Sequence, residues 1–189
     1  ERGAAAGPPF VIDRILPPHD DLFAMTDLER PPYRAAALAA AAVLAGYVAT
    51  LAPSVTFWDA GEFIAAMKIL GIPHPPGTPL FILLGHVWGH AIPVGEFAWR
   101  TNLMSAVFSA AAAGFWFLIV HQVLGRVIEG QDGSARRLRL AGAFAATLLS
   151  AFSFTNWQNS NETEVYAVAA CIIGAVGWLA LRWRAQRAE

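Results

Sequence analysis

Charge is scarce in this chain. Only 14% of its 189 residues are Asp, Glu, Lys or Arg and 56% are hydrophobic, whereas a soluble domain carries about 25% charged residues. So little charge cannot cover a water-facing surface, and the composition points to lipid. Net charge is −1 with no long run of one sign, so neither nucleic acid nor an acidic polymer is indicated as a partner. Cysteine is nearly absent: Cys171 stands alone in an apolar run, has no second thiol here to pair with, and carries no information on redox compartment. Residues 1–33 hold no long apolar run either. The chain opens on Glu1 rather than Met, and residues 1–33 are rich in Pro and acids. They are expected to form an extended cytoplasmic arm rather than a signal peptide, ordered only where a partner holds it.

What the chain has is hydrophobic runs. Residues 35–52, 102–124, 140–154 and 165–183 are apolar, and the second, about 23 residues long, suffices to cross a hydrocarbon core of roughly 30 Å. The expected fold is all-α: a polytopic transmembrane domain over 34–189 with about four membrane helices. Gly46 in the Ala-rich first run would admit a neighbouring helix closely. Residues 80–92 are apolar but short and interrupted by Gly85, His86, Gly89 and His90, which predicts an interfacial or re-entrant helix.

Basic residues set the expected orientation, because short cytoplasmic loops retain Lys and Arg. Arg30, Arg34, Arg126, Arg136, Arg137, Arg139, Arg182, Arg184 and Arg187 fall on one side of these runs, and Lys68 and Arg100 on the other. Both termini are therefore expected in the cytoplasm, with the loops 53–101 and 155–164 outside.

The loop 53–101 carries the chemistry-bearing residues. Thr56 followed by Asp59 has the form of an N-terminal capping signal, and Gly71 stands where a helix would stop, which predicts a helix over 57–70. At 100° per residue Asp59 and Glu62 share a face with Phe63, Ala66 and Leu70, while Lys68 points away. Carboxylates on an apolar face must be paired, hydrated or ligand-bound, which makes the two acids site candidates. The competing reading is that Asp59 caps the helix and Glu62 reaches water or Arg100. The segment Gly71-Ile-Pro-His-Pro-Pro-Gly-Thr-Pro79 is extended by its prolines and can fix His74 beside the acids. A histidine in such a turn is more often a structural hydrogen-bonder than a catalyst.

Other candidates are weaker. His86 and His90 have a four-residue spacing but no third ligand at a telling distance, so no metal is expected. Arg100 beside Trp99 is placed to meet an anionic head group or to serve as an interfacial anchor. Glu162 and Glu164 precede the last apolar run, where they favour a helix N-terminus and could complete a sugar or phosphate site.

Four phrases, Thr56-Phe-Trp-Asp-Ala-Gly-Glu-Phe63, Gly71-Ile-Pro-His-Pro-Pro-Gly77, Arg100-Thr-Asn-Leu-Met-Ser105 and Glu162-Thr-Glu-Val-Tyr-Ala167, together resemble the N-terminal half of a bacterial membrane family known as a domain of unknown function. That family is similar to the animal transmembrane O-mannosyltransferases, within the polytopic GT-C-type glycosyltransferases. The resemblance implies a bacterial inner-membrane glycosyltransferase using a polyprenyl-phosphate sugar as donor substrate, without a cofactor or metal. It implies Asp59 as base, Glu62 as second choice, and Arg100 or His74 holding the donor phosphate. Members of this class carry more spans than four. The alternative expectation is therefore a shortened, non-catalytic accessory subunit that packs against membrane lipid and other membrane subunits through its helices and arm.

Overall fold

The computed structural model describes residues 31–76, 78–130 and 132–187. Most of the expected arm, with Arg30, lies outside them, as does Gly77. Among the described residues there are seven helices and no strand: α1 (Tyr33–Ala49), α2 (Asp59–Ile69), α3 (Pro79–Ala91), α4 (Phe97–Val127), α5 (Gly133–Ala151), α6 (Phe154–Asn161) and α7 (Val165–Arg187). The chain is an all-α membrane protein. Two helices, α4 and the stretch Val165–Gln186 of α7, are long and apolar enough to cross a bilayer alone. The α5–α6 pair is long and apolar enough only when its two helices, bent by 66° at the break, are counted together. Helix α1, at 17 residues, is about 25 Å long, the lower limit for a span.

Helix α4 is the central post, with α1, α5 and α7 packed along it. The helix continues past the expected residues 102–124 at both ends to give 31 residues. Lipid is as apolar as a leucine side chain, so these helices associate through close packing rather than expulsion of water. Small residues make that possible: Ala36, Ala39 and Ala143 are buried around Phe117 and Trp178, and Ala106, Ala110 and Ala151 around Val43 and Tyr47. The Tyr47 hydroxyl donates to the Ala151 carbonyl at 2.7 Å, giving the buried phenol a partner and tying α1 to the end of α5. Gly46 does not meet a helix backbone as expected; the Phe152 ring, from the α5–α6 bend, lies over it where a Cβ would stand.

Helices α2, α3 and α6 gather at one end of the bundle, where α1 and α5 finish and α4 and α7 begin. Arg34, Arg126, Arg136, Arg137, Arg182 and Arg184 belong to the opposite helix ends. Helix α3 has 13 residues, about 20 Å and too short to span; it packs against α2 and α4. Phe63, Met67, Phe81, Ile82, Met104 and Val168 form the core under this end, and Gly85 gives Met67 its space.

Two local expectations need correction. Thr56 does not cap α2: its hydroxyl is buried without a hydrogen-bond partner, and the capping position falls to Trp58, with φ +63° and no side-chain cap. The positive φ turns the chain one residue before the helix, leaving Thr56 too far back to reach the first amides. The left-handed stop likewise falls on Leu70 rather than Gly71, while the Gly71 amide closes onto the Ala66 carbonyl at 2.9 Å. In addition, the segment expected as a polar loop, 155–164, is largely helix α6.

Candidate active site at one end of the bundle

The first turn of α2 presents Asp59 and Glu62 at a helix N-terminus, where the backbone dipole favours negative charge. Phe63 and Ala66 on the same face are buried, but the acids are not: their side chains are 58% and 45% exposed. The apolar neighbours of this face are packed by α3 and α4, and the first turn projects beyond that cover, which leaves the two acids exposed.

The proline-rich segment returns over this turn and brings His74 against both acids. The His74 amide donates to Glu62 Oε1 at 2.7 Å, and its Nδ1 lies 2.8 Å from Glu62 Oε2. The other ring nitrogen, Nε2, is 3.9 Å from Asp59 Oδ2, and Phe63 packs at 5.7 Å between ring centroids. Glu62 therefore grips one residue with both carboxylate oxygens and orients its ring so that Nε2 faces Asp59. The side-chain hydrogen bond is the main cause that raises the His74 pKa, with smaller coulombic help from Glu62, Asp59 and Glu164. The same bond, followed by the amide contact, lowers the Glu62 pKa. A protonated His74 paired with an ionised Glu62 is the favoured state.

Glu164 approaches from the start of α7. Its residue is 8% exposed, and burial, then Glu162, then Asp59 push its pKa up to about 7. The sequence marks Glu164 as a helix-terminus charge; it does not reveal that this acid is buried and near-neutral in pKa. Glu162 acts on the group through charge rather than through a resolved contact.

Beneath Glu164 runs a polar network that the sequence reading missed. The Thr163 hydroxyl donates to Asn102 Oδ1 at 2.6 Å and lies 2.9 Å from Thr101 Oγ1. Asn102 Nδ2 donates to the Ala52 and Ser54 carbonyls, both at 3.0 Å, and Ser105 Oγ accepts from the Glu164 amide at 3.3 Å. Thr101, Asn102, Ser105 and Thr163 are all completely buried. The available signal was the polar spacing at 101, 102 and 105 inside an otherwise apolar helix. Polar groups buried at membrane depth must be satisfied by protein, and here they fasten the loop after α1, the top of α4 and the start of α7 together.

Arg100 does not join the acids. Its guanidinium donates to the carbonyls of Gly89 (2.9 Å), Val94 (3.0 Å) and Gly95 (2.7 Å), and so closes the C-terminus of α3 onto α4. His86 and His90 are likewise structural: His86 Nδ1 meets the Met67 carbonyl at 2.7 Å and His90 Nδ1 the His86 carbonyl at 2.8 Å. Among the described residues, the grouping able to hold a cation is Asp59, Glu62 and His74, whose ligand atoms lie within 4.8 Å of one another.

Residues 59–189 match the family described as the protein O-mannosyl-transferase TMEM260 N-terminal domain. The chain belongs to that family. The match takes in Asp59, Glu62, His74, Arg100, Glu162 and Glu164. The mouse protein O-mannosyl-transferase TMEM260 is 34% identical over 157 residues, covering 80% of this chain and 20% of the mouse protein. The Dictyostelium discoideum protein of the same name is 40% identical over 77 residues, 40% of this chain and 9% of that protein. The chain thus spans about a fifth of the mouse relative's length. No solved structure matches.

Proposed function

We propose that this chain carries the acid–base end of a membrane glycosyltransferase that moves a sugar from a polyprenyl-phosphate donor to a hydroxyl acceptor. The names of the relatives supply the sugar and acceptor proposed here, mannose and a protein hydroxyl. The single observation that carries the reading is Asp59, an exposed carboxylate at a helix N-terminus beside the Glu62–His74 pair.

Each group has a role that follows from its position. Asp59 accepts the proton of the acceptor hydroxyl when that oxygen comes within about 3 Å. The oxygen then bonds to the sugar's anomeric carbon as the carbon–oxygen bond to phosphate breaks, and the electron pair leaves with polyprenyl phosphate. Protonated His74 offers its Nε2–H to that developing charge, a charge-assisted hydrogen bond that strengthens as the bond breaks. Glu62 keeps His74 charged and oriented. Glu164 supplies a second group that titrates near neutrality, at the edge of the substrate space expected for Glu162 and Glu164. Arg100, bonded to backbone carbonyls, acts by holding α3 in place. This scheme needs no metal, since the leaving phosphate is met by a cationic side chain.

The acidic end is proposed to face the exterior of a bacterial inner membrane, with the arginine-rich end in the cytoplasm. The arginine distribution supports the sidedness, and the four phrases support the compartment. Membrane lipid and further membrane subunits are the proposed partners.

The test is sugar transfer by the full-length protein purified in mild detergent, with polyprenyl-phosphate mannose and a hydroxyl-bearing peptide. Transfer that is lost in Asp59→Asn, with folding intact, supports the reading. A wild-type protein without transfer that is recovered stoichiometrically in a larger complex favours the accessory-subunit alternative.

A further inference from the structure

The imidazole of His74 stands between two carboxylates that meet opposite ring nitrogens. Glu62 Oε2 lies behind the ring, 2.8 Å from Nδ1, and Nε2 faces Asp59 Oδ2 at 3.9 Å. A carboxylate on one nitrogen, with the other nitrogen turned outward, is the arrangement in which a histidine serves as a metal ligand. The rear carboxylate fixes the tautomer and raises the basicity of the outward nitrogen. Two ligands bound to one ion at about 2.0–2.1 Å each stand roughly 3–4 Å apart, so Nε2 and Asp59 Oδ2 already have the separation that an ion between them requires. The side chains of all three residues are about half exposed, which gives water access to the remaining coordination positions.

The surroundings favour a cation. Glu164, nine-tenths buried at the start of α7, feels the charges of both Glu162 and Asp59, so four carboxylates act around one imidazole. Arg100 does not offset them, because its guanidinium is spent on the carbonyls of Gly89 and Gly95. The dipole of α2 opposes a cation with about half a positive charge, less than its own two acids supply.

We infer that a borderline divalent ion, of which zinc is the type, binds between His74 Nε2 and Asp59 with Glu62 as the supporting carboxylate, and that the bound ion switches off the site. The ring nitrogen gives its proton to water as it takes the metal. Imidazole selects the ion: it suits Zn²⁺, whereas Mg²⁺ keeps to oxygen ligands and its own waters. The inhibition rests on the transfer reading above, since the ion would occupy both the base and the Nε2–H donor; the binding does not rest on it. His86 and His90, with ring centroids 4.3 Å apart, are the competing place for the ion. There each Nδ1 meets a backbone carbonyl, and no third ligating side chain joins them among the described residues.

The experiment is calorimetric titration of the full-length protein, stripped of metal and held in mild detergent, with zinc chloride and separately with magnesium chloride. Zinc binding is expected to be lost in His74→Ala, to weaken about tenfold or more in Asp59→Asn and in Glu62→Gln, and to be unchanged in His90→Ala. Unaltered thermal unfolding of Asp59→Asn, a substitution of equal shape at an exposed position, separates ligand loss from misfolding. Sugar transfer should stop over the same range of zinc concentration and return on chelation, while magnesium changes neither readout. The inference is overturned if no zinc event depends on Asp59 and His74, if His90→Ala removes the event, or if magnesium binds as tightly. Zinc bound at Asp59 and His74 with transfer still running overturns it equally. A wild-type protein that transfers no sugar contradicts the transfer reading alone, and the calorimetric comparison then decides the ion site by itself.

Discussion

Glu62 holds His74 at two points, accepting from its backbone amide at 2.7 Å and meeting its ring Nδ1 at 2.8 Å. The double grip fixes the imidazole plane, sets which ring nitrogen faces Asp59, and stabilises the imidazolium. Helix α2 supplies one partner and the proline-rich segment the other, so the site depends on the path of a loop that carries little regular structure of its own.

Removing the grip gives the first prediction. Glu62→Gln should lower the His74 pKa, because the hydrogen bond from Glu62 is the main cause that raises it. In the wild type the Glu62 contribution is lost as pH falls through its lowered pKa, and the His74 contribution as pH rises through its raised one. The variant should therefore lose activity at a lower pH on the basic side. Titration of the His74 ring by NMR checks this; an unchanged midpoint would show that the pair is not coupled.

Glu164 gives a second, opposite pH effect. Its pKa is raised from 4.5 to about 7 by burial and by the neighbouring acids, so between these values the folded protein binds more protons than the unfolded chain. Stability should be greatest below about pH 4.5 as far as this group is concerned, and should fall as pH rises to about 7. In Glu164→Gln that part of the decline should vanish. Thermal unfolding in detergent across this range measures it, and identical pH slopes for the two proteins would refute it.

The buried network predicts a structural loss. Asn102→Ala deletes two donated bonds, to Ala52 and Ser54, and the acceptor for Thr163. Unsatisfied buried groups cost about 1–3 kcal/mol each, so a stability loss of roughly 2 kcal/mol or more is expected. Thermal unfolding of the variant checks the size, and a shift near zero would mean that the network adds nothing to stability.

Asp59, Glu62 and His74 also form a grouping that could hold a cation, and the metal-free scheme makes a distinct prediction. With His74 carrying the proton shared with Glu62, exhaustive chelation should leave sugar transfer unchanged. Loss of transfer on chelation, restored by one divalent ion, would replace the imidazolium with a metal in the account.

The long apolar helices were legible from their runs because lipid demands continuous hydrophobicity, and residues 80–92 announced a helix too short to span. Helix α6 was not legible. Phe154-Thr-Asn-Trp-Gln-Asn-Ser-Asn161 is rich in residues that favour turns, and it becomes helical with Trp157 Nε1 bonded to Thr50 Oγ1 at 2.9 Å, a contact 107 residues away along the chain. The partners of Arg100 were not legible for a related reason: its guanidinium finds the carbonyls of Gly89, Val94 and Gly95 only once α3 and α4 pack together. Asp59 and Glu62 were visible as a pair on one helix face, yet their exposure depended on how far α3 and α4 cover α2. The burial of Glu164 depended on Ser105 and the network below it. Local pattern marked which residues could carry chemistry, and tertiary contacts decided their surroundings.

The central claim is that Asp59 is the base of a sugar-transfer site, and the most direct measurement is the transfer rate of Asp59→Asn in the full-length protein. Asparagine keeps the shape and removes the basic oxygen, so the account predicts a loss of about 100-fold or more, with unchanged thermal unfolding and unchanged binding of the polyprenyl-phosphate donor. Transfer at the wild-type rate in that variant would contradict the account.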